Sequence, residues 1–346
     1  MILKRDGSVW STGIPLRLTN TGKHFVRVIA NGVKAVAAGY SHSIVIKQDC
    51  SVWGIGSNYR GQLGDGTRVR KDTLIFVLEM PGATAVAAGG RHTLLLTQEG
   101  HVYVTGSNKY GQIGGGAIYY TATFWKTIYG EGKAVAAGEV HSIVVKQDGS
   151  VWATGRNDNG QLGDGSKEDK NTFVQVIASG VLDAAAGAYH SIVLKDDGSV
   201  WTAGKNKHGQ LGDGSSTDST IYMQVVSSGA KAIIAGNQHS MVLAQDGELW
   251  ATGYNFYGQL GNNSTRNNFV FAQVTVEGAM AVDAGGFHSM VLNQDGSLWA
   301  TGSNKDGQFG DGSTISTNLF VRVAPLNNSG TNGMLTSIHL HDPALE

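Results

Sequence analysis

Six histidines recur at one position of a repeated pattern and are the first candidates for chemistry. Each follows Ala-Gly-x-x, at His42, His92, His141, His190, His239 and His288. Imidazole is a common metal ligand, but all ligands of one ion must lie about 2 Å from it. Because 49 or 50 residues separate successive histidines, each belongs to a different structural unit and a shared ion is not predicted. We expect each ring to bind backbone groups at a turn of its own unit, since buried polar groups need partners.

Glycine-rich turns that carry aspartate suggest two further kinds of site. Gly-Asp-Gly occurs around Asp65, Asp164, Asp213 and Asp311, yet these segments lack the alternating acidic ligands of a calcium loop. The glycines do not lead into a helix with a Lys-Ser/Thr ending, as a phosphate-binding loop requires. Asp-Gly is also a common turn dipeptide. With no local motif that pairs a nucleophile with a base, the sequence predicts neither an enzyme nor a bound metal ion or other cofactor.

Cys50 is the only cysteine, and it occupies a turn position that is glycine in the other repeats. Those glycines are Gly7, Gly100, Gly149, Gly198, Gly247 and Gly296. An Asp-Gly hairpin turn holds this residue at positive φ, which strains any residue with a Cβ. The alternative is a turn that has rearranged to avoid positive φ. No Cys or His neighbours Cys50 in sequence, so a reactive or metal-binding thiol is not predicted.

An internal repeat of about 49 residues positions all of these residues. Besides Ala-Gly-x-x-His, the repeat carries the signature Asp/Glu-Gly-x-hydrophobe-aromatic, with Cys50 in place of Gly in one copy. It ends at Trp10, Trp53, Tyr103, Trp152, Trp201, Trp250 and Trp299, and we predict that the tryptophans pack between repeat units. One unit contains four short apolar runs, at 134–137, 142–145, 150–154 and 173–177. Gly-rich or Asp-Gly turns separate the runs, which is the pattern of β-strands.

Four antiparallel strands per unit predict an all-β fold of propeller blades. Seven units of about 49 residues account for nearly all of the 346 residues, so we predict one seven-bladed β-propeller domain over 1–346. The N-terminal piece matches the second and third strands of a blade, and 332–338 weakly repeats 31–37. A terminal blade shared by 1–13 and 319–340 would close the ring by pairing N- and C-terminal strands.

The patterns AAGxxHS, DGxVW and NxxGQLGDG resemble the regulator of chromosome condensation (RCC1) repeat and cover nearly the whole chain. The resemblance implies a seven-bladed propeller, but the family's functions are diverse. It includes a nuclear exchange factor for a small GTPase, a plant ultraviolet photoreceptor, a secreted inhibitor of β-lactamases and many interaction modules. The photoreceptor motif Gly-Trp-Arg-His-Thr is nearest to residues 89–93, where glycine replaces tryptophan, so light sensing is not predicted.

Charge and hydropathy limit the kinds of partner. The net charge is −1 and no run of basic residues exceeds Arg70-Lys71, so direct DNA binding is not expected. No stretch is apolar for long enough to span a membrane, and no signal peptide follows Met1. These features favour a cytoplasmic or nuclear location without deciding it, and we expect a monomer.

Antiparallel strand order places the loops after the first and third strands of every blade on one face. We call it the variable-loop face, because these loops vary at the two residues before His and before Gly-Gln, whereas the second-to-third turns are nearly uniform. Tyr, Phe and Arg are typical interface residues on a rigid scaffold. The predicted partner-binding residues are Tyr40, Tyr59, Arg60, Arg91, Tyr110, Tyr189, His208, Phe256, Tyr257 and Phe287.

The leading functional hypothesis is a non-enzymatic propeller that binds a protein, of unknown identity, through this face. The first alternative is a guanine-nucleotide exchange factor for a Ran-type small GTPase, which only the family resemblance implies. The second is a propeller that binds a carbohydrate or small ligand, with aromatic loop residues stacked on sugar rings.

Overall fold

The computed structural model describes residues 1–12, 23–116, 118–276 and 278–323, together with the backbone of Leu335–Ile338. These residues form 28 strands, arranged in seven antiparallel four-stranded sheets. The predicted all-β, seven-bladed propeller is therefore confirmed. Within the described residues there is no helix long and apolar enough to cross a membrane.

The strands follow the repeat, four to a blade. Blade 7 contains β1 (Ile2–Lys4), β2 (Val9–Ser11) and β3 (Val26–Ile29), with β28 (Leu335–Ile338) as its first strand. Blade 1 contains β4 (Val33–Ala38), β5 (His42–Lys47), β6 (Ser51–Gly56) and β7 (Lys71–Glu79). Blade 2 contains β8 (Ala83–Ala88), β9 (His92–Thr97), β10 (Val102–Ser107) and β11 (Tyr120–Ile128). Blade 3 contains β12 (Gly132–Ala137), β13 (His141–Lys146), β14 (Val151–Gly155) and β15 (Lys170–Ile177).

The remaining three blades repeat this arrangement. Blade 4 contains β16 (Val181–Ala186), β17 (His190–Lys195), β18 (Val200–Gly204) and β19 (Ser219–Val226). Blade 5 contains β20 (Ala230–Ala235), β21 (His239–Ala244), β22 (Leu249–Gly253) and β23 (Asn268–Val274). Blade 6 contains β24 (Ala279–Ala284), β25 (His288–Asn293), β26 (Leu298–Gly302) and β27 (Thr317–Arg322). The first strand of each blade is the innermost, and in blades 1 to 6 it contacts the first strand of the next blade.

The ring closes by pairing strands from the two ends of the chain. β1 pairs antiparallel with β28, with Ile2 opposite Ile338 and Leu3 opposite Ser337. This closure was predicted, but its boundaries need correction. Residues 319–322, assigned from sequence to the terminal blade, belong to β27, the outer strand of blade 6. The outer strand of blade 7 is β3, which lies beyond residue 13.

The hydrophobic core lies between neighbouring blades. In one cluster Ile143 and Val145 of blade 3 pack against Val181 and Val193 of blade 4, and Trp201 covers its edge. Both faces of the inner strands, such as β13 and β14, are therefore buried, and their apolar runs show little alternation, whereas outer strands such as β15 keep exposed residues. The half-buried indoles of Trp53, Trp152, Trp201 and Trp299 donate Nε1–H to a serine two residues earlier, while Trp250 has Glu248 at that place.

The repeated histidines link successive blades. His42, His92, His141, His190 and His239 are buried, and each Nε2 lies 2.8–3.0 Å from a Ser or Thr hydroxyl of the next blade. For example, Ser191 contacts His141 and donates its own proton to the carbonyl of Gln161. The expectation of a backbone partner within the same blade is therefore wrong for this nitrogen. Each ring instead crosses to the neighbouring sheet, where it ties two blades together.

The turn at Cys50 keeps the geometry of its glycine counterparts. The φ angle of Cys50 is 66°, compared with 77° for Gly149 at the equivalent turn of blade 3. The prediction of a cysteine held at positive φ is confirmed, and the rearranged turn is not found. Lys34 Nζ lies 3.3 Å from the Cys50 sulfur, which offers the thiol one polar contact.

We expect Cys50→Gly to stabilise the protein by about 0.5–1 kcal/mol, because relief of left-handed strain exceeds the added entropy of the unfolded chain. Equilibrium denaturation of the two proteins measures the difference. Cys50→Ala is the matched control, since it loses the contact with Lys34 but keeps the strain, and it should show no gain. A Gly variant less stable than the wild type would contradict the argument.

Candidate interaction face

The variable-loop face surrounds the mouth of an axial pocket. Its described lining comes from the Ala-Gly turns that follow the first strands of blades 1 to 6. Successive turns are joined by backbone hydrogen bonds, such as Tyr40 N–H to the Gly89 carbonyl and Gly90 N–H to the Gly138 carbonyl. The pocket volume is about 120 Å³, below the roughly 300–1,000 Å³ of small-molecule sites. A large partner must therefore bind on the surface around the mouth.

Tyr40 reaches across this mouth. Its hydroxyl accepts a hydrogen bond of 3.0 Å from Asn237 Nδ2, which joins blade 1 to blade 5. Tyr40 was predicted from sequence to bind a partner, and the structure places it half-buried over the pocket. A partner would meet it as part of a braced rim.

The Gly-Asp-Gly aspartates shape the third-to-fourth loops from within. Asp65 accepts hydrogen bonds from Asn58 Nδ2 and from the backbone N–H of Thr67, and Asp164 and Asp213 bind their own loops in the same way. Asn58 Oδ1 in turn accepts from Leu63 N–H. Across the described ranges, no group of three or more His, Cys, Asp or Glu side chains is arranged to hold a metal ion. These aspartates thus fix loops in place.

Blades 4 to 6 present an aromatic cluster, formed by His208, Tyr254, Phe256, Tyr257 and Phe287. Tyr254 is central, with its ring centroid 4.9 Å from His208 and 6.0 Å from Phe287. Phe256 and Tyr257 meet edge to face at 5.2 Å. Phe256 is 65% exposed although it packs on this cluster. The cluster is therefore a preformed apolar surface at the rim.

Tyr254 was missed by sequence reasoning, which considered only the two residues before Gly-Gln. A signal was present at the position before the loop asparagine. That position holds Ser57, Ser107, Arg156, Lys205, Tyr254 and Ser303, so it varies as much as the positions that were used. Arg156 and Lys205 were missed for the same reason.

Blades 2 to 4 carry a second group, the cation–tyrosine stack, formed by Lys109, Tyr110, Arg156, Tyr189 and Lys205. The Arg156 guanidinium lies 4.9 Å from the Tyr110 centroid and 5.6 Å from that of Tyr189. Lys109 lies 4.8 Å from the Tyr110 ring, and Lys205 lies 5.0 Å from the Tyr189 ring. Each cation is therefore held against a ring before any partner arrives.

Acidic groups brace this stack. Asp158 forms an ion pair with Arg156. Burial raises the pKa of Glu139, although its hydrogen bond with Tyr189 and nearby cations oppose the rise. Burial and Glu139 raise the pKa of Tyr189 to about 12. The hydrogen bond between the Tyr189 hydroxyl and Glu139 fixes the ring in the stack.

The other predicted residues lie on the same face but outside these two groups. Tyr59 is exposed and Arg60 half-buried in the third-to-fourth loop of blade 1, and Arg91 is exposed before His92 in blade 2. The ten predicted partner-binding residues therefore separate into an aromatic sector, a cationic sector and a third part in blades 1 and 2, of which Arg91 lies close enough to Glu139 to influence its pKa. That these residues bind a partner stays a prediction.

Family models of the regulator of chromosome condensation (RCC1) repeat match the sequence in most of its units. One matches residues 33–62, 83–112, 133–161, 181–210, 231–259 and 281–308. A second model of the same repeat, in a different frame, matches residues 49–96, 148–194, 197–243 and 246–292. No curated protein sequence matches the chain significantly.

Several solved propellers share the architecture. Human WBSCR16 is 22% identical with a TM-score of 0.79, over 88% of this chain and 86% of that one. Yeast RCC1 (Prp20), bound to Kap60, is 20% identical with a TM-score of 0.82, over 94% and 86% of the two chains. Prp20p from Saccharomyces cerevisiae, in a second structure, is 21% identical with a TM-score of 0.81, over 94% and 88%. At these identities the likeness shows the fold alone.

Proposed function

Because the chain belongs to the RCC1 repeat family, we propose that it is a non-enzymatic propeller that binds a protein partner through its variable-loop face. The observation that carries this proposal is the aromatic cluster, which holds Phe256 largely exposed on a rim of packed rings. Aromatic residues and arginine are enriched where proteins bind one another. The cluster and the cation–tyrosine stack bring both kinds together.

The scaffold beneath these side chains favours binding. In blades 1 to 6 each third-to-fourth loop is held by its asparagine, as where Asn255 Oδ1 accepts from Leu260 N–H and Asn255 Nδ2 donates to Asn262. The next blade supports the loop as well, since Gly258 packs on the backbone around Asn318. Loops that are ordered before binding lose little entropy on association.

The similar structures add a precedent of the same kind. The yeast relative is described in complex with Kap60 and by its binding to Gsp1p and histones. For this chain, a Ran-type small GTPase remains a second candidate partner. An exchange factor would bind the nucleotide-free GTPase more tightly than the loaded form.

The proposal is tested by affinity capture with a face variant. We expect Phe256→Ala, Tyr257→Ala and Phe287→Ala together to remove a captured protein that the wild type retains, because truncating a central aromatic anchor costs about 2 kcal/mol or more. Quantitative mass spectrometry of captures from the native source measures the loss. Circular dichroism should be unchanged, since Phe256 and its neighbours lie on the surface.

The matched control removes three exposed aromatic residues elsewhere, as Phe76→Ala, Trp125→Ala and Tyr129→Ala in blades 1 and 2. A protein lost from the face variant and kept by this control supports the proposal. Equal loss from both variants, or loss from the control alone, overturns it. A small GTPase among the face-dependent proteins would lead to a nucleotide-release assay, and a glycan-array signal without any captured protein would favour the carbohydrate alternative.

A further inference from the structure

The aromatic cluster and the cation–tyrosine stack join into one continuous arc around the pocket mouth. We call it the cation–aromatic arc, and in order it contains Lys109, Tyr110, Arg156, Tyr189, Lys205, His208, Tyr254, Tyr257 and Lys305. Lys205 and His208 lie in the same third-to-fourth loop of blade 4. Burial lowers the pKa of His208, and the positive charges of Lys207 and then Lys205 lower it further. Lys305 ends the arc 5.4 Å from the Tyr257 ring. Cations and rings thus alternate from Lys109 to Lys205 in blades 2 to 4, and three rings separate Lys205 from Lys305 in blades 4 to 6.

The arc carries a local surplus of positive charge. At the inner loop positions of these blades, just before each repeated histidine and beside each loop asparagine, the chain holds Arg91, Lys109, Arg156, Lys205, Lys207 and Lys305 against Glu139, Asp158 and Asp306, while the outer parts of the same third-to-fourth loops add two cations and six carboxylates. Six cations therefore face three carboxylates, whereas the whole chain has a net charge of −1. Glu139 is half-buried and hydrogen-bonded to Tyr189, so it contributes less negative charge to the surface than the other two carboxylates. This sector favours an anionic partner.

Of two anionic partners, an acidic peptide and a single-stranded nucleic acid, the geometry favours the peptide. A nucleic-acid site needs open ring faces on which bases stack. Here Lys109 and Arg156 lie over Tyr110, and Arg156 and Lys205 lie over Tyr189, so cations cover these rings. What the arc presents outward is a row of N–H donors in fixed positions. Carboxylates accept from such donors, and Arg binds them in a bidentate manner.

We propose that the arc binds an acidic peptide segment of the partner, with carboxylates along Lys109, Arg156 and Lys205 and an apolar side chain on the aromatic cluster. This rests on the proposed function of the face, and it adds the chemistry of what is bound. Phe256, exposed beside Tyr257, receives the apolar anchor. The two sectors meet at His208, so a single extended segment can engage both.

The test uses a defined probe and the full chain. The probe is a fluorescein-labelled peptide of alternating Glu and Gly around one central Phe, followed by fluorescence anisotropy. We expect saturable binding that weakens about tenfold or more between about 50 and about 300 mM NaCl, because exposed charge pairs are screened. Lys109→Ala, Arg156→Ala and Lys205→Ala together should weaken binding by about tenfold or more.

Controls separate charge from position and chemistry. Lys133→Ala, Lys231→Ala and Arg322→Ala remove the same charge from exposed residues at the opposite end of the strands and should leave affinity unchanged. A probe with Gln for every Glu should bind at least about tenfold more weakly. A probe with Ala in place of the central Phe should bind the wild type and a Phe256→Ala variant with equal affinity. Should the triple variant fold poorly, Lys109→Gln with Lys205→Gln leaves Arg156 and its ion pair intact.

Three outcomes would overturn the inference: no binding of the acidic probe, equal binding of the Gln probe, or tighter binding of single-stranded oligothymidylate. The failure of the proposed function is distinguishable from these. If the face variant still loses a captured protein while the acidic probe is not bound, the face is an interaction surface of different chemistry. If capture does not depend on the face, the function itself is wrong.

Discussion

Acidification from pH 7 to about pH 4.5 is expected to unfold the propeller, because its buried histidines are held in their neutral form and become protonated readily only when unfolding exposes them to water. Burial lowers the pKa of His92 and His190 to about 4 and that of His141 and His239 to about 3, from 6.5. In the unfolded chain these four groups take up protons as the pH falls through 6.5. In the folded protein they stay neutral until the pH approaches their lowered pKa values.

The sign and size of the effect follow from this difference in proton uptake. A histidine with a lowered folded pKa contributes no penalty above pH 6.5, and the folded state loses stability as the pH falls below it. Each pKa unit corresponds to about 1.4 kcal/mol. Two units below 6.5, four histidines together remove about 10 kcal/mol, which matches the total stability of an ordinary domain.

The hydrogen-bond network explains why the neutral form is required. The Ser142 hydroxyl donates to the Gln112 carbonyl, so it must accept a hydrogen bond from His92 Nε2–H. This fixes the tautomer with Nδ1 unprotonated. The Nδ1 atoms of His92, His141, His190 and His239 have no hydrogen-bond acceptor among the described residues, and next to His141 the backbone of Gly138 occupies that side. A second proton would be a buried donor without a partner, which is costly.

Chemical denaturation at pH values from 7.5 down to 5 measures the effect above the titration range of most carboxylates. The free energy of unfolding should decline with a slope that approaches four protons near pH 5. His141→Gln keeps a donor toward Ser191 but cannot be protonated, so it should reduce the slope by about one proton. A stability that stays constant between pH 7.5 and 5 would contradict the lowered pKa values.

The blade count and ring closure were predictable because a repeat unit specifies its own strands. The period, the Asp-Gly turns and the apolar runs are local features, and each blade follows from them. The partner of each histidine was not predictable in the same way, since Ser142 and His92 are 50 residues apart and meet only across a blade interface. A hint existed in the Ser or Thr that follows every repeated histidine.

That the variable loops lie together on one face was also predictable, but the division of this face into an aromatic and a cationic sector was not. Strand alternation alone places Tyr110, Arg156 and Tyr189 on one side of the ring. Their contact depends on the lateral offset between blades 2, 3 and 4, which the sequence does not encode locally. Tyr40 shows the same limit, because its bond to Asn237 spans the pocket mouth between blades that are far apart in sequence.

Removing residues 335–346 is expected to open the ring and destabilise the protein by about 5 kcal/mol. The truncation deletes β28, the innermost strand of blade 7, and leaves the edge of β1 unpaired. Ile2 is fully buried and Leu3 nearly so, and both lie in the strand that would lose its neighbour. Exposing two such side chains costs about 1.5–3 kcal/mol each, and every lost backbone hydrogen bond adds about 1 kcal/mol.

The loss should spread beyond blade 7, because β28 also contacts β24 of blade 6 and so joins the two blades at the closure. Thermal unfolding followed by circular dichroism compares the truncated chain with one that lacks only residues 339–346, which retains β28 and should melt like the full chain. Adding a synthetic peptide of residues 332–346 should restore the melting temperature of the truncated protein in proportion to its concentration, since the peptide binds only the folded ring. If the chain lacking β28 melts at the same temperature as the control, then β1 does not depend on this strand, and the ring is held closed by contacts between blades alone.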